Sequence, residues 1–91
     1  MALRLQGEHA LARRALDVAA ARFEEATALA EERGMRPLLA HCRLGIGRTR
    51  ALRGDRAGAR EAIDAALGEY RAMAMPYWIA RAEAALIDSG A

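Results

Sequence analysis

The chain has 91 residues, a formal net charge of +2 and an apolar content of 54%. This length allows one domain at most, and the interleaving of basic and acidic residues excludes the single-sign charge stripe typical of nucleic-acid-binding domains. Alanine supplies 24 residues, whereas the strand-favouring valine and threonine are almost absent. Because alanine is the best helix former and buries little surface, the composition predicts an all-α protein of closely packed helices.

Two further features concern the cellular compartment. The N-terminus lacks the charged segment and apolar run of a signal peptide, and no run of about 18 apolar residues could span a membrane. The single cysteine, Cys42, has no second cysteine with which to form an internal disulfide. We therefore expect a cytoplasmic protein that has no membrane partner.

The first 34 residues contain one weak helix boundary. Residues 14–17 include neither glycine nor proline, and Asp17 is the one plausible N-cap. Residues 1–33 therefore form either one continuous helix or two. Gly34 then suits a left-handed C-terminal cap, with Met35 placed for the hydrophobic contact that often follows such a cap.

Stronger boundaries follow along the chain. Pro37 fits the first turn of a new helix, Gly54 can stop that helix, and Asp55 can cap the next one. The Met75-Pro76 pair marks a third break. We predict about five helices in a single domain over residues 1–91: a hairpin over about 2–34, a hairpin over about 37–74 and a C-terminal capping helix over about 76–89.

Apolar residues recur at spacings of three and four in these segments, which predicts one buried face for each helix. The predicted buried residues are, in chain order, Ala19, Phe23, Ala26 and Ala30; Leu38, Leu39, Cys42, Ile46 and Thr49; Ala59, Ala62, Ile63, Ala66, Tyr70 and Met73; and Trp78, Ile79, Ala82 and Leu86.

The sequence also matches itself at an offset of forty residues. The matched pairs are Gly7 with Gly47, Ala19 with Ala59, Phe23 with Ile63, Ala26 with Ala66, Met35 with Met75, Leu39 with Ile79, Ala40 with Ala80, and Ile46 with Leu86. A period of this length predicts stacked helical hairpins, each of which buries its apolar face on its neighbours.

The second hairpin resembles the tetratricopeptide repeat (TPR) family. The resemblance lies in Ile46-Gly47, the Gly54-Asp55 turn, and Ala59, Ile63 and Ala66 on the following helix. The run of Leu3, Gly7, Ala19, Phe23 and Ala26 is similar to an earlier, degenerate copy that lacks the Gly-Asp turn. Arg50 departs from the aromatic residue usual in the family, and the period exceeds the usual 34 residues. The resemblance implies a short α-solenoid of antiparallel hairpins.

Two longer segments, residues 29–48 and 70–86, are similar to the C-terminal repeats of large bacterial signalling proteins. Those proteins join a class III adenylate or guanylate cyclase, or a transcriptional-regulator module, to an ATPase and a helical repeat tail. This resemblance implies a non-catalytic protein–protein interaction module that corresponds to the tail alone.

The glycines at Gly45 and Gly47 could indicate a phosphate-binding loop. Such loops follow a strand and need a third glycine or a Lys-Ser/Thr pair at fixed spacing, and neither is present. We therefore interpret Gly47 as a close helix crossing and Gly45 as a thin wall beside a groove. Arg53-Gly54-Asp55 spells an adhesion tripeptide, but a helix stop and a helix cap explain its glycine and aspartate.

Catalytic and metal-binding interpretations have little support. His41 and Cys42 are adjacent on a helix and point about 100° apart, so they do not face each other. His9 and His41 lack a histidine or cysteine partner at metal-ligand spacing. We predict no enzyme activity, no catalytic residue, no cofactor and no metal.

In the TPR family the first helix of each hairpin lines a concave groove. Carried onto this sequence, the resemblance places these residues at a partner-binding groove: Arg4, Glu8, His41, Leu44, Arg48, Leu52 and Arg81. The mixed lining favours an acidic or amphipathic protein or peptide, or another domain of a parent protein. Trp78 either anchors the last helix or forms a hot spot for a partner, and the stripe that continues through Ile79 and Leu86 favours the first.

Two alternatives remain open. One is a self-associating structural module, a homo-oligomer, because the N-terminal helix leaves an uncapped face. The other is a regulatory fragment of a larger cyclase or ATPase.

Overall fold

The computed structural model describes residues 2–89 and folds them into five helices. The helices are α1 (Leu3–Ala12), α2 (Leu16–Arg33), α3 (Arg36–Leu52), α4 (Arg56–Ala72) and α5 (Pro76–Asp88). Each helix packs on the next along the chain, and α1 also contacts α3. Residues 2–89 contain no strand, so the all-α prediction of stacked helical hairpins is confirmed. No helix in this range has the length and apolar content that a membrane crossing requires.

All four connections between the helices use the same backbone geometry. Positive φ angles occur every twenty residues, at Arg14 (61°), Gly34 (64°), Gly54 (83°) and Ala74 (52°). Each of these residues donates its N–H to the carbonyl three residues back, and the next residue donates to the carbonyl five residues back. This bonding pattern is the Schellman motif, which satisfies carbonyls left free at a helix end. Residues 1–33 therefore contain a helix break at Arg14, and the two-helix alternative is correct.

The helix caps confirm one prediction and correct another. The carboxylate of Asp55 accepts a hydrogen bond from the backbone N–H of Gly58 at 2.9 Å, as expected for an N-cap. Asp17 is not an N-cap, because that position belongs to Ala15, which offers no side-chain acceptor. Asp17 instead lies in the first turn of α2 and forms an ion pair with Arg53.

The core consists of two clusters of buried side chains. One lies within the first hairpin and contains Leu11, Ala19 and Phe23. The other is centred on α4 and contains Ile63 and Tyr70, with contributions from α3 and α5. The residues predicted to be buried on α2 are all buried. Those predicted for α4 are buried as well, except Met73, which is partly exposed. Of the residues predicted to be buried on α5, only Ala82 is fully buried.

Three glycines allow close contact between helices. A Cβ atom at Gly7 or Gly45 would lie within 2.9 Å of the Phe23 ring, and one at Gly47 would lie 2.5 Å from Cγ1 of Ile63. The predicted close crossing at Gly47 is therefore confirmed. The interpretation of Gly45 as a groove wall is wrong, because Gly45 is buried against Phe23. The pairs Gly7–Phe23 and Gly47–Ile63 are forty residues apart, so the same contact recurs in both hairpins.

Candidate functional site

A cavity of about 330 Å³ lies between α1, α3 and α5. Its lining comprises Arg4, Glu8, His41, Leu44, Arg48, Trp78, Arg81, Ala84, Ala85 and Asp88. Six of the seven residues assigned to the groove from the sequence thus lie around one cavity. The seventh, Leu52, lies in an adjoining depression of about 260 Å³ with Leu11 and Arg14. Both cavities share Arg48, Ala85 and Asp88, so together they form one continuous groove along α3 and α5.

Leu44 belongs both to the groove and to the core. It lines the cavity, as the sequence interpretation placed it, but it is only 5% exposed and packs in the core around α4. Leu44 therefore contributes an apolar floor to the groove rather than a projecting contact.

The rings of His41 and Trp78 form one wall of the cavity, and the buried ring of Tyr70 packs behind them. The His41 ring packs on both of the others, and its centroid lies 5.5 Å from that of Tyr70 and 4.3 Å from that of Trp78. Its Nδ1 is 2.6 Å from the hydroxyl oxygen of Tyr70, which is within hydrogen-bond distance. Tyr70 also stacks on Trp78 with a centroid separation of 5.9 Å. Because Tyr70 is fully buried, these contacts fix the orientation of both His41 and Trp78 at the groove surface.

The protonation of this wall follows from its burial. Burial lowers the pKa of His41, the positive charge of Arg4 lowers it further, and Glu8 opposes the shift. Burial also raises the pKa of Tyr70, so its hydroxyl keeps its proton and can donate it to unprotonated Nδ1. At neutral pH the lining therefore carries three arginines, two carboxylates and a neutral histidine.

The three arginines of the cavity are in different electrostatic situations. Arg48 donates to the Glu8 carboxylate at 3.0 Å, so its charge is largely balanced. Arg4 lies 5.8 Å above the Trp78 ring and Arg81 lies 5.9 Å above the Tyr77 ring. Within residues 2–89 neither Arg4 nor Arg81 forms an ion pair with a carboxylate.

Arg4 has one further distinguishing property. Its Nε is buried and has no hydrogen-bond partner among the described residues. A buried donor without a partner costs about 1–3 kcal/mol, and more when the group is charged. The aromatic face of Trp78 offsets part of this cost. Arg4 is therefore held at the groove by the face of the Trp78 ring, with no hydrogen bond to its Nε among the described residues.

His41 and Cys42 lie in a setting that disfavours nucleophilic chemistry. Cys42 is fully buried on the face of α3 that packs against α2. Burial raises the pKa of its thiol, which disfavours the nucleophilic thiolate. His41 directs its Nδ1 to Tyr70. Among residues 2–89, no cluster of three or more histidine, cysteine or acidic side chains is arranged to hold a metal ion.

Sequence reasoning missed most of the contribution of α5. Trp78, Ala84, Ala85 and Asp88 all line the cavity, yet only Arg81 was assigned to it from this helix. A signal was available, because positions 78, 81, 85 and 88 follow the helical spacing of three and four on one face. Trp78 packs on Tyr70, as the anchoring interpretation predicted, and it also lines the cavity. Its role as a hot spot for a partner stays a prediction.

Comparisons with known proteins add no assignment. Neither protein-family models nor curated proteins nor solved structures give a match to this chain.

Proposed function

We propose that the chain is a non-catalytic protein-interaction module of the TPR type, and that it binds a segment of another protein in the groove between α1, α3 and α5. The observation that carries the proposal is the pair of arginines, Arg4 and Arg81, that line one cavity without an ion-pair partner among the described residues. Both rest on aromatic rings that belong to the same helix, α5.

The charges of the groove favour an acidic segment. Arg48 is already neutralised by Glu8, so an incoming carboxylate would be attracted chiefly to Arg4 and Arg81. The floor is apolar, through Leu44, Ala84 and Ala85. A segment that combines acidic and apolar side chains matches both parts of the lining.

The shape of the groove favours a chain segment over a small molecule. The main cavity, at about 330 Å³, is at the lower end of the 300–1,000 Å³ range common for small-molecule pockets. It continues into the second depression, where the exposed Leu52 adds an apolar contact. An elongated peptide can occupy both parts at once.

The two residues that could act as nucleophile and base, Cys42 and His41, are both unsuited to catalysis. The thiol of Cys42 is buried and its pKa is raised, and His41 is engaged with Tyr70. The recurrence of the Gly–large-residue contact every forty residues supports the TPR-type assignment. On the sequence resemblance, the parent proteins would be cytoplasmic bacterial signalling or regulatory proteins that carry such a module as a tail.

Selection from a library of random 12-residue peptides tests the proposal. We expect the wild-type chain to enrich peptides that contain Asp or Glu next to apolar residues. The Kd of a selected peptide, measured by isothermal titration, should rise at least tenfold in the Arg4→Gln/Arg81→Gln double variant. The matched control is Arg56→Gln/Arg60→Gln, which removes two exposed arginines of α4 and should leave the Kd unchanged.

Two results would overturn the proposal. One is a selection with no preference for acidic peptides. The other is equal binding by the wild-type chain and a folded Arg4→Gln/Arg81→Gln variant. Chemical-shift changes in the NMR spectrum provide a second readout, since a bound peptide should perturb the amides of His41, Arg48 and Trp78 before those of α2.

A further inference from the structure

Helix α5 has an apolar outer face that no other helix of residues 2–89 covers. Tyr77 and Ile87 are 64% and 67% exposed, and Ala80 and Ala84 between them are exposed as well. Their spacing of three, four and three residues places all four on one side of the helix. We call this set, Tyr77, Ala80, Ala84 and Ile87, the outer stripe.

The opposite side of α5 already packs on the domain. Trp78, Ile79 and Leu86 are partly buried against the core around α4, and Ala82 is fully buried there. The helix is therefore apolar on two opposite sides. A helix of this kind is normally buried on both, whereas a terminal helix of a repeat stack normally turns a polar side to water.

The internal repeat shows how such a face is used elsewhere in the same chain. Ala40, Leu44 and Gly47 precede Ala80, Ala84 and Ile87 by forty residues. On α3 these three positions are buried, and they pack in the core formed with α4. The outer stripe thus corresponds to a helix-packing surface of the preceding hairpin.

A helix placed on α5 as α4 is placed on α3 would not fit. A single Cβ at Gly47 would lie 2.5 Å from Cγ1 of Ile63 and 3.1 Å from the carbonyl oxygen of Ala59. Position 87 carries a complete isoleucine side chain where α3 has this glycine. The occupant of the outer stripe must therefore cross α5 with a different geometry.

The outer stripe is complementary to itself. Ala80 and Ala84 lie two residues on either side of position 82, and Tyr77 and Ile87 lie five residues on either side. In an antiparallel pair of identical helices, Ala80 of one copy faces Ala84 of the other, and Tyr77 faces Ile87. Small residues at the centre allow close approach of two crossing helices, while large residues fill the space where the helices diverge.

We propose that α5 packs antiparallel against α5 of a second copy, and that the outer stripe forms the centre of a two-fold symmetric dimer interface. A self-complementary surface is the requirement for such an isologous contact. Because a single short helix face buries less than the roughly 800 Å² per partner of a standard interface, the dimer is weak and its population depends on concentration. Within the outer stripe, Ala84 also lines the groove and the Tyr77 ring lies under Arg81, so the stripe and the groove share one edge. Ala80 and Ile87 line neither cavity, and substitutions at these two positions therefore test the dimer separately from peptide binding.

Analytical ultracentrifugation between about 10 μM and 1 mM, a span that covers weak association, tests the proposal. We expect the weight-average mass of the wild-type chain to rise from that of one chain towards that of two. The variants Ala80→Glu and Ile87→Glu should remain at the mass of one chain throughout. Ala65→Glu, on the exposed side of α4, is the matched control and should dimerise as the wild type does.

A disulfide experiment tests the antiparallel register. Mixed Ala80→Cys and Ala84→Cys chains should form the crossed disulfide at least five times faster than either chain alone forms its own. Circular dichroism identifies any glutamate variant that fails to fold. In that case the cross-linking of the cysteine variants decides whether the dimer forms, because these substitutions remove no charge and add little bulk. Any one of three results would overturn the proposal. They are a wild-type chain that stays monomeric at 1 mM, a folded Ile87→Glu chain that still dimerises, and equal rates of cross-linking in the mixed sample and in the two single-variant samples.

Discussion

The first hairpin, α1 with α2, and the second, α3 with α4, reach the same backbone from different local sequences. The second hairpin turns at Gly54, which adopts positive φ at little cost, and Asp55 then caps α4. The first hairpin turns at Arg14, also at positive φ, and Ala15 stands where the cap would be. Its turn chemistry is therefore poorer, yet its Schellman hydrogen bonds are the same.

The compensation lies in the packing of the first hairpin. Phe23 is fully buried and lies against Gly7 of its own hairpin and Gly45 of the next. Its counterpart Ile63 lies against the single glycine Gly47. Arg14 thus adopts a left-handed conformation without a local glycine, and we expect the packing of Phe23 to offset part of the cost. The first hairpin should consequently depend more on one core residue, and the second more on its turn.

The largest effect should come from the two core residues. Phe23→Ala should lower the free energy of unfolding by about 3–5 kcal/mol, because it empties the space between two helices. Ile63→Ala should cost less, about 2–4 kcal/mol. Urea denaturation followed by circular dichroism measures both. Val18→Ala, which shortens an exposed side chain on the helix of Phe23, is the control and should change the value by less than about 0.5 kcal/mol. A smaller loss for Phe23→Ala than for Ile63→Ala would contradict the comparison.

The next largest effect concerns the contact between the hairpins. Gly45→Ala should lower stability by about 1–3 kcal/mol, since its Cβ would overlap the Phe23 ring. Gly68→Ala is a matched change in another helix, where a Cβ meets open space, and should raise stability by about 0.5–1 kcal/mol. In the Phe23→Leu background the cost of Gly45→Ala should shrink, which a double-mutant cycle measures. Equal effects of the two glycine changes would show that the contact with Phe23 is not limiting.

The turns should show effects of about 1 kcal/mol. Ala74 has a φ of 52°, so Ala74→Gly should raise the thermal midpoint by relieving a conformation that is unfavourable for alanine. Gly54→Ala should lower it by a similar amount, and a Cβ there meets no atom within 4 Å, so the loss would be conformational. Differential scanning calorimetry compares the pair. Opposite signs support the turn assignment, and a stabilising Gly54→Ala change would refute it.

The smallest effect should come from transplanting the cap. Asp55→Ala should lower the free energy of unfolding by about 1 kcal/mol through loss of the bond to the Gly58 N–H. Ala15→Asp places the same acceptor forty residues earlier and should raise stability by about 0.5 kcal/mol. Ala15→Asn separates capping from charge, because asparagine caps without a charge. No gain from either substitution at position 15 would mean that packing already fixes the start of α2.

Much of the fold could be predicted from the sequence because its signals are local. Gly34, Gly54 and Pro76 mark helix ends through backbone chemistry that acts within a few residues. The apolar spacing of α2 and α4 also identified their buried faces correctly, since helical periodicity alone decides which side chains share a face. The role of Gly45 could not be predicted in this way, because it depends on a contact with Phe23 of another helix. The break at Arg14 could not be predicted either, because residues 14–17 contain neither glycine nor proline.

The residues of the candidate groove likewise separate into those expected from the sequence and those that the tertiary structure added. Its cationic residues on α1 and α3 were expected from the resemblance to the TPR family, whereas Trp78, Ala84 and Asp88 entered it only when α5 closed one side. The sequence by itself determined three of the four breaks between helices, the repeat of forty residues and the buried faces of α2 and α4. Only the tertiary structure decided which arginines remain without a partner, because the Glu8–Arg48 pair joins residues forty positions apart, and no local pattern contains that distance.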